Sequence, residues 1–269
     1  AAWAQYEADQ NSDMIADFIM MDANGNTAQQ ISDINTLLEN ETPLDALIVK
    51  PVEQATGNIE GLQTLLDSVV QSGIPVILVG NRTQEAYTSY VGHDPYEAGC
   101  IMGQELAAFV DGEGSIGFIN AVDLSVADVS FKEGVRAVFA QFPGIEPTAE
   151  GATGYARSNA ANLTANVDVV GILAYAGNIT LGAQDGVTSR GLDYVPFVSD
   201  HTIELALFAQ NNNVDGVFIR SSSQMGATAV QTALAILQGG DVTQFERVVP
   251  EMIRTSDLAN YDIANAPQN

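Results

Sequence analysis

Three cations stand where they could do chemistry. Lys50, Arg82 and Arg220 follow the apolar runs 46–49, 75–79 and 216–219, and Asn81 stands beside Arg82. Lysine is a compact point charge and arginine a planar fork, and both grip carboxylate or phosphate oxygens. The chain holds 9 bases against 34 acids, so a third of its positive charge lies at these three positions. One reading is a ligand that carries negative charge. The other is that these bases pair with Asp22, Glu53 or Asp200 and tie strand ends together.

Other reactive groups carry weaker signals. His93 and His201 are the two histidines, each beside an aspartate (Asp94, Asp200). That is too little for a metal site, and adjacency in sequence does not make a catalytic dyad. The single cysteine, Cys100, excludes an intrachain disulfide and a cysteine-based metal site. It falls within the helical pattern Ala98, Met102, Leu106 and Phe109, which predicts a buried, inert thiol. The run Asp22-Ala23-Asn24-Gly25-Asn26 superficially resembles a calcium loop. Its sixth position is Thr27 where glycine is required, and its twelfth is Asp33 where glutamate is. An acidic turn followed by a helix cap is expected instead. No nucleophile elbow, phosphate-binding loop or dinucleotide glycine fingerprint occurs. No cofactor or metal is expected.

Composition narrows the class. The formal net charge is −25, which argues against nucleic acid or an anionic membrane as partner because like charges repel. No run approaches the roughly 18 uninterrupted apolar residues of a membrane-spanning helix. No basic, hydrophobic leader opens the chain, so any signal peptide is expected to lie outside these 269 residues.

The elements that must position these residues are read from periodicity. Apolar strand-like runs at 15–21, 46–49 and 75–79 recur about every thirty residues. Between them, Ile31, Ile34, Leu37 and Leu38 share one helix face, and Ile59, Leu62, Leu65, Leu66, Val69 and Val70 share another. A second series follows, with strands near 115–119, 169–173, 194–198 and 216–219. Helices are expected around 129–141, 156–166, 178–189, 202–211 and 225–238. Strands apolar throughout, alternating with helices, predict parallel sheets covered on both faces. Ligands of such α/β sheets bind at the carboxyl ends of the strands. Asp22, Lys50, Asn81 and Arg82 fall there.

The ordered segments 20–38, 45–53, 72–82 and 91–106 resemble the N-terminal lobe of type I periplasmic sugar-binding proteins of the ribose-binding kind. They read MMDANGNTAQQISDINTLL, DALIVKPVE, SGIPVILVGNR and VGHDPYEAGCIMGQEL. Segments 132–139, 173–183, 198–202 and 222–230 are similar to the C-terminal lobe. The family opens with a strand that is not found before Ala1-Ala2-Trp3, so the resemblance implies a sheet whose first strand is missing from these 269 residues.

The resemblance implies two Rossmann-like α/β lobes joined by a hinge, residues 1–95 with 221–249 and residues 96–220 with 250–269. It also implies a receptor that captures a small sugar or sugar derivative in an interlobe cleft and delivers it to an ABC permease. Such a receptor is periplasmic or extracellular, monomeric and without catalytic activity. Alternatives on the same fold are the ectodomain of a membrane sensor and the effector-binding core of a repressor. Sugars are held by planar polar groups and aromatic faces. By that match Asn81 and Arg82 follow the third strand, Asp200 accepts from hydroxyls, Tyr155 stacks, and Asn178 or Tyr175 replaces a missing Asn-Asp pair. Lys50 stands where the family has a neutral asparagine and Arg220 where it often has glutamine. The anionic reading therefore becomes a sugar acid or sugar phosphate.

Overall fold

The computed structural model describes residues 18–40, 43–52, 59–81, 87–120, 126–152, 157–165, 168–175, 177–191, 196–200, 215–219 and 222–260. In chain order the elements are α1 (Thr27–Leu38), β1 (Leu47–Val49), α2 (Ile59–Gln71), β2 (Val76–Val79), β3 (Ser89–Gly92), α3 (Pro95–Phe109), β4 (Glu113–Asn120) and α4 (Val126–Phe139). There follow β5 (Gly144–Ala152), α5 (Arg157–Thr164), β6 (Gly171–Tyr175), α6 (Gly177–Ser189), β7 (Phe197–Asp200), β8 (Gly216–Ile219), α7 (Ser222–Leu237), β9 (Phe245–Arg247) and β10 (Glu251–Arg254). A 3-10 helix, Thr255–Asn260, comes last. The chain divides into two compact units, Ala1–Gly92 with Ser222–Val248, and His93–Ser221 with Val249–Asn269.

The first unit is built on a parallel sheet in the order β1-β2-β3-β9. Its central strand shows why the apolar run is unbroken. Val76 and Leu78 pack in a cluster with Ile34, Leu62, Leu66 and Val69 of α1 and α2. Ile77 points the other way, into a cluster with Met225, Ala229 and Ala233 of α7. Successive strand side chains alternate faces, so both must be apolar when helices cover both.

The second unit repeats the design on a sheet ordered β10-β8-β7-β6-β4-β5. All of its pairings are parallel except β10 with β8. Leu173, Val198 and Phe218 face Met102 and Leu106 of α3 and Phe131 and Val135 of α4. Ile172, Phe197 and Val217 face Ala160 of α5 and Ile179, Ala183 and Val187 of α6. Glycines let α3 and α4 approach backbone to backbone. A methyl on Gly99 would lie 2.0 Å from the Phe131 carbonyl oxygen, and one on Gly134 would lie 2.1 Å from that of Tyr96. Gly186 on α6 plays the same part, since a methyl there would lie 2.3 Å from the carbonyl oxygen of Ala161 on α5.

Some expectations need correction. The strand expected over 15–21 is absent from its described part. Phe18, Ile19, Met20 and Met21 are coil, and Met20 is 84% exposed. A strand exists only by pairing, and this segment has no ladder partner among the described residues. Conversely, β3, β5, β9 and β10 are strands that no long apolar run announced. β5 is an edge strand, where Pro147 is tolerated, and its register with β4 shifts between Ile116 and Gly117. The helix expected over 202–211 lies outside the described residues.

Candidate functional site

In the first unit two neighbouring strand exits meet through side chains. Lys50 follows β1, and its carbonyl oxygen accepts from Gln30 Nε2 at 2.8 Å. The same glutamine accepts from the Val52 amide at 3.1 Å, so one side chain of α1 grips both ends of the turn. The carbonyl between them, that of the buried Pro51, accepts from Asn81 Nδ2 at 3.0 Å. Asn81 follows β2 and is half-buried. Three backbone groups of the turn are thus satisfied by side chains rather than by the sheet ladder.

Gly80 links β2 to Asn81 with φ +72°, a conformation that suits a residue without Cβ. Its carbonyl oxygen accepts from the Tyr90 hydroxyl at 2.9 Å, and its amide donates to the Val91 carbonyl at 2.9 Å. Tyr90 stacks in turn on Phe245, with ring centroids 5.4 Å apart and planes 15° apart. The Lys50 stem passes the same glycine: a methyl there would lie 3.9 Å from Lys50 Cε. Lys50 is exposed. It is not paired with Asp22, which instead accepts from the Asn24 amide at 2.8 Å. That corrects one of the pairings considered for it.

In the second unit the register sets a tier of polar residues. Asn120 at the end of β4 is paired with Tyr175 at the end of β6. Ala174 pairs with Ser199, so Tyr175 and Asp200, the next residue on each strand, lie at one level. Asp200 is paired across with Phe218 of β8. Asn178 is the second residue of α6, the helix that leaves β6. Below this tier the hydroxyls of Thr180 and Ser199 are hydrogen-bonded to each other and buried, fixing the first turn of α6 against β7. The backbone therefore brings Asn178 and Asp200 to adjacent strand ends, and adds Asn120, which the sequence reading missed. Its signal was available: it directly follows the apolar residues Ile116, Phe118 and Ile119. Arg82, Tyr155 and Arg220 lie outside the described residues.

The discounted groups have local roles. Asp94 caps α3, accepting from the amides of Tyr96 at 2.9 Å and Glu97 at 3.2 Å. His93 is buried, its ring edge-on to Phe218 at 6.4 Å. Asn26 caps α1 by accepting from the Gln29 amide at 3.1 Å, after a turn with positive φ at Asn24 and Gly25, so 22–27 forms the turn and cap expected of it. Cys100 is half-buried, less enclosed than expected, with Sγ 3.5 Å from the Gly134 carbonyl oxygen. Burial raises its pKa; a hydrogen bond with Tyr96 opposes this, and the charges of Asp94 and Glu97 reinforce it. No group of His, Cys, Asp and Glu among the described residues could hold a metal ion.

Parallel sheets with polar strand exits occur in many proteins of unrelated function. A family model, the periplasmic binding protein domain, matches residues 2–241. The chain belongs to this family. The fold of this periplasmic binding protein domain is also that of solved solute-binding proteins. One, from Bacillus halodurans with bound myo-inositol, is 21% identical with a TM-score of 0.75, over 91% of this chain and 86% of that one. A second, from Actinobacillus succinogenes with bound D-allose, is 20% identical at 0.74, over 87% and 86%. An arabinose-binding protein from Geobacillus stearothermophilus is 16% identical at 0.78, over 88% and 85%. No curated protein sequence matches the chain.

Proposed function

We propose that this chain is the solute-binding receptor of an ABC transport system, and that it captures a small sugar or sugar derivative at the carboxyl ends of its strands. The observation that carries this is the family match over residues 2–241, on a chain whose β1 and β2 exits present Lys50 and Asn81. The sugars bound to the solved proteins of the same fold support the ligand class. Lys50, Asn81, Arg82, Tyr155, Asn178, Asp200 and Arg220 contact the ligand in this reading. Polar side chains direct hydrogen bonds to its hydroxyls, and Tyr155 covers an apolar face of its ring. The two lobes are residues 1–95 with 221–249 and residues 96–220 with 250–269. The receptor works outside the cytoplasm as a monomer, binds no nucleic acid, and hands its ligand to a membrane permease unchanged.

A thermal-shift screen of neutral pentoses, hexoses and polyols, and of sugar acids and phosphates, tests it. A ligand that binds only the native state stabilises it by about 2.7 kcal/mol at a hundredfold excess over Kd. That is a rise of several degrees in Tm. The ligand should be recovered chemically intact after long incubation. A panel without any stabilising compound at millimolar concentration would reject the reading, and turnover would replace it with an enzyme.

A further inference from the structure

Lys50 is an exposed residue on a turn held by side-chain hydrogen bonds. Gln30 holds its carbonyl and the Val52 amide, and Asn81 holds the carbonyl of Pro51. Its stem passes the bare α-carbon of Gly80, toward the exit of β2. No carboxylate among the described residues lies within ion-pairing distance of its ammonium.

Resting on the reading above, a solute seated at the β1 and β2 exits displaces water from this ammonium. An ammonium has three donors and no acceptor, and losing its hydration without a counter-charge is costly. A sugar hydroxyl offers only a neutral dipole. A carboxylate or phosphate oxygen gives a charge-assisted hydrogen bond, shorter and about twice as strong as a neutral one. The protein's overall charge of −25 works the other way at long range and repels anions. A local cation on a held turn is what offsets that repulsion. We propose that the ligand is an anionic polyol, a sugar bearing a carboxylate or phosphate, and that Lys50 is the residue that selects the charged form over the neutral one.

The test compares matched pairs by calorimetry: a neutral sugar, its aldonate or uronate, and its phosphate. One charged form is expected to bind at least tenfold more tightly than its neutral parent, and the two charged arms separate carboxylate from phosphate. Lys50→Gln is expected to reduce that preference at least tenfold, the greater loss falling on the charged form. Lys50→Arg should restore most of it. An unchanged urea midpoint in both variants separates this from a folding defect. A neutral sugar that binds as tightly as its charged forms would overturn the inference while leaving the receptor reading intact. So would a Lys50→Gln variant with unaltered preference. A panel with no binder would remove both.

Discussion

Asn81 Nδ2 donates to the carbonyl oxygen of Pro51 at 3.0 Å, so a residue that follows β2 holds the turn that follows β1. The amide that sequence reading assigns to a ligand thus already has one protein partner. In the proposed reading, its second hydrogen and its carbonyl oxygen meet the solute. Asn81 is therefore both a support and a candidate contact.

Replacing this support has a directional signature. Asn81→Ala is expected to lower stability by about 1 kcal/mol, the usual net worth of one hydrogen bond. Asn81→Asp should cost more, because it sets an acceptor against the Pro51 carbonyl. Gln30→Ala removes two bonds to the Lys50–Val52 turn and should exceed Asn81→Ala. Urea denaturation at constant m-value would rank the three. Equal midpoints for wild type and Gln30→Ala would refute the clamp.

Tyr90→Phe keeps the ring stacked on Phe245 and deletes only the hydroxyl that meets Gly80. The expected loss is about 1 kcal/mol. Tyr90→Ala also empties a buried aromatic site and should cost roughly 3–5 kcal/mol. The ratio of the two, from the same denaturation experiment, separates anchoring from packing.

Two glycine substitutions should act in opposite directions. A methyl at Gly134 would lie 2.1 Å from the Tyr96 carbonyl oxygen, so α3 and α4 must move apart. Overpacking against backbone that cannot rotate away should cost about 3 kcal/mol or more. Gly226, within α7, would meet nothing within 4 Å. Gly226→Ala is expected to stabilise by roughly 0.5–1 kcal/mol, since alanine is the better helix former. Calorimetric melting of both variants checks the signs.

Cys100 predicts an alkaline effect. Burial raises its folded pKa above the ordinary thiol value. The unfolded chain therefore ionises this thiol first as pH rises. The contribution is fully present below the unfolded pKa and is lost as pH climbs through the folded one. Cys100→Ser should abolish that part of the alkaline decline. Alkylation by iodoacetamide near pH 8 should run several-fold slower in the native chain than in urea, because only thiolate reacts.

Much of the layering was legible because it is local. The apolar residues of β2 and β6 state directly that both sheet faces are covered, and the helix stripes of α1 and α2 say what covers one face of the first sheet. β5 was not legible: Gly144–Ala152 has neither an apolar run nor alternation, and it is a strand only because the edge of β4 accepts it. The segment 18–21 failed in the other direction, being strand-like in composition yet without a ladder partner among the described residues.

The site divides in the same way. That Lys50 and Asn81 stand at strand exits follows from the length of each apolar run, a property of neighbouring residues. That Gln30 grips the Lys50 turn, that Asn81 reaches Pro51 and that Tyr90 meets Gly80 could not be read there. Gln30 and Lys50 are 20 positions apart and Asn81 and Pro51 are 30 apart, separations with no period to reveal them. Side-chain periodicity records which face of an element is dry. Which hydrogen bond closes a turn depends on which elements become neighbours, and only the packed sheet decides that.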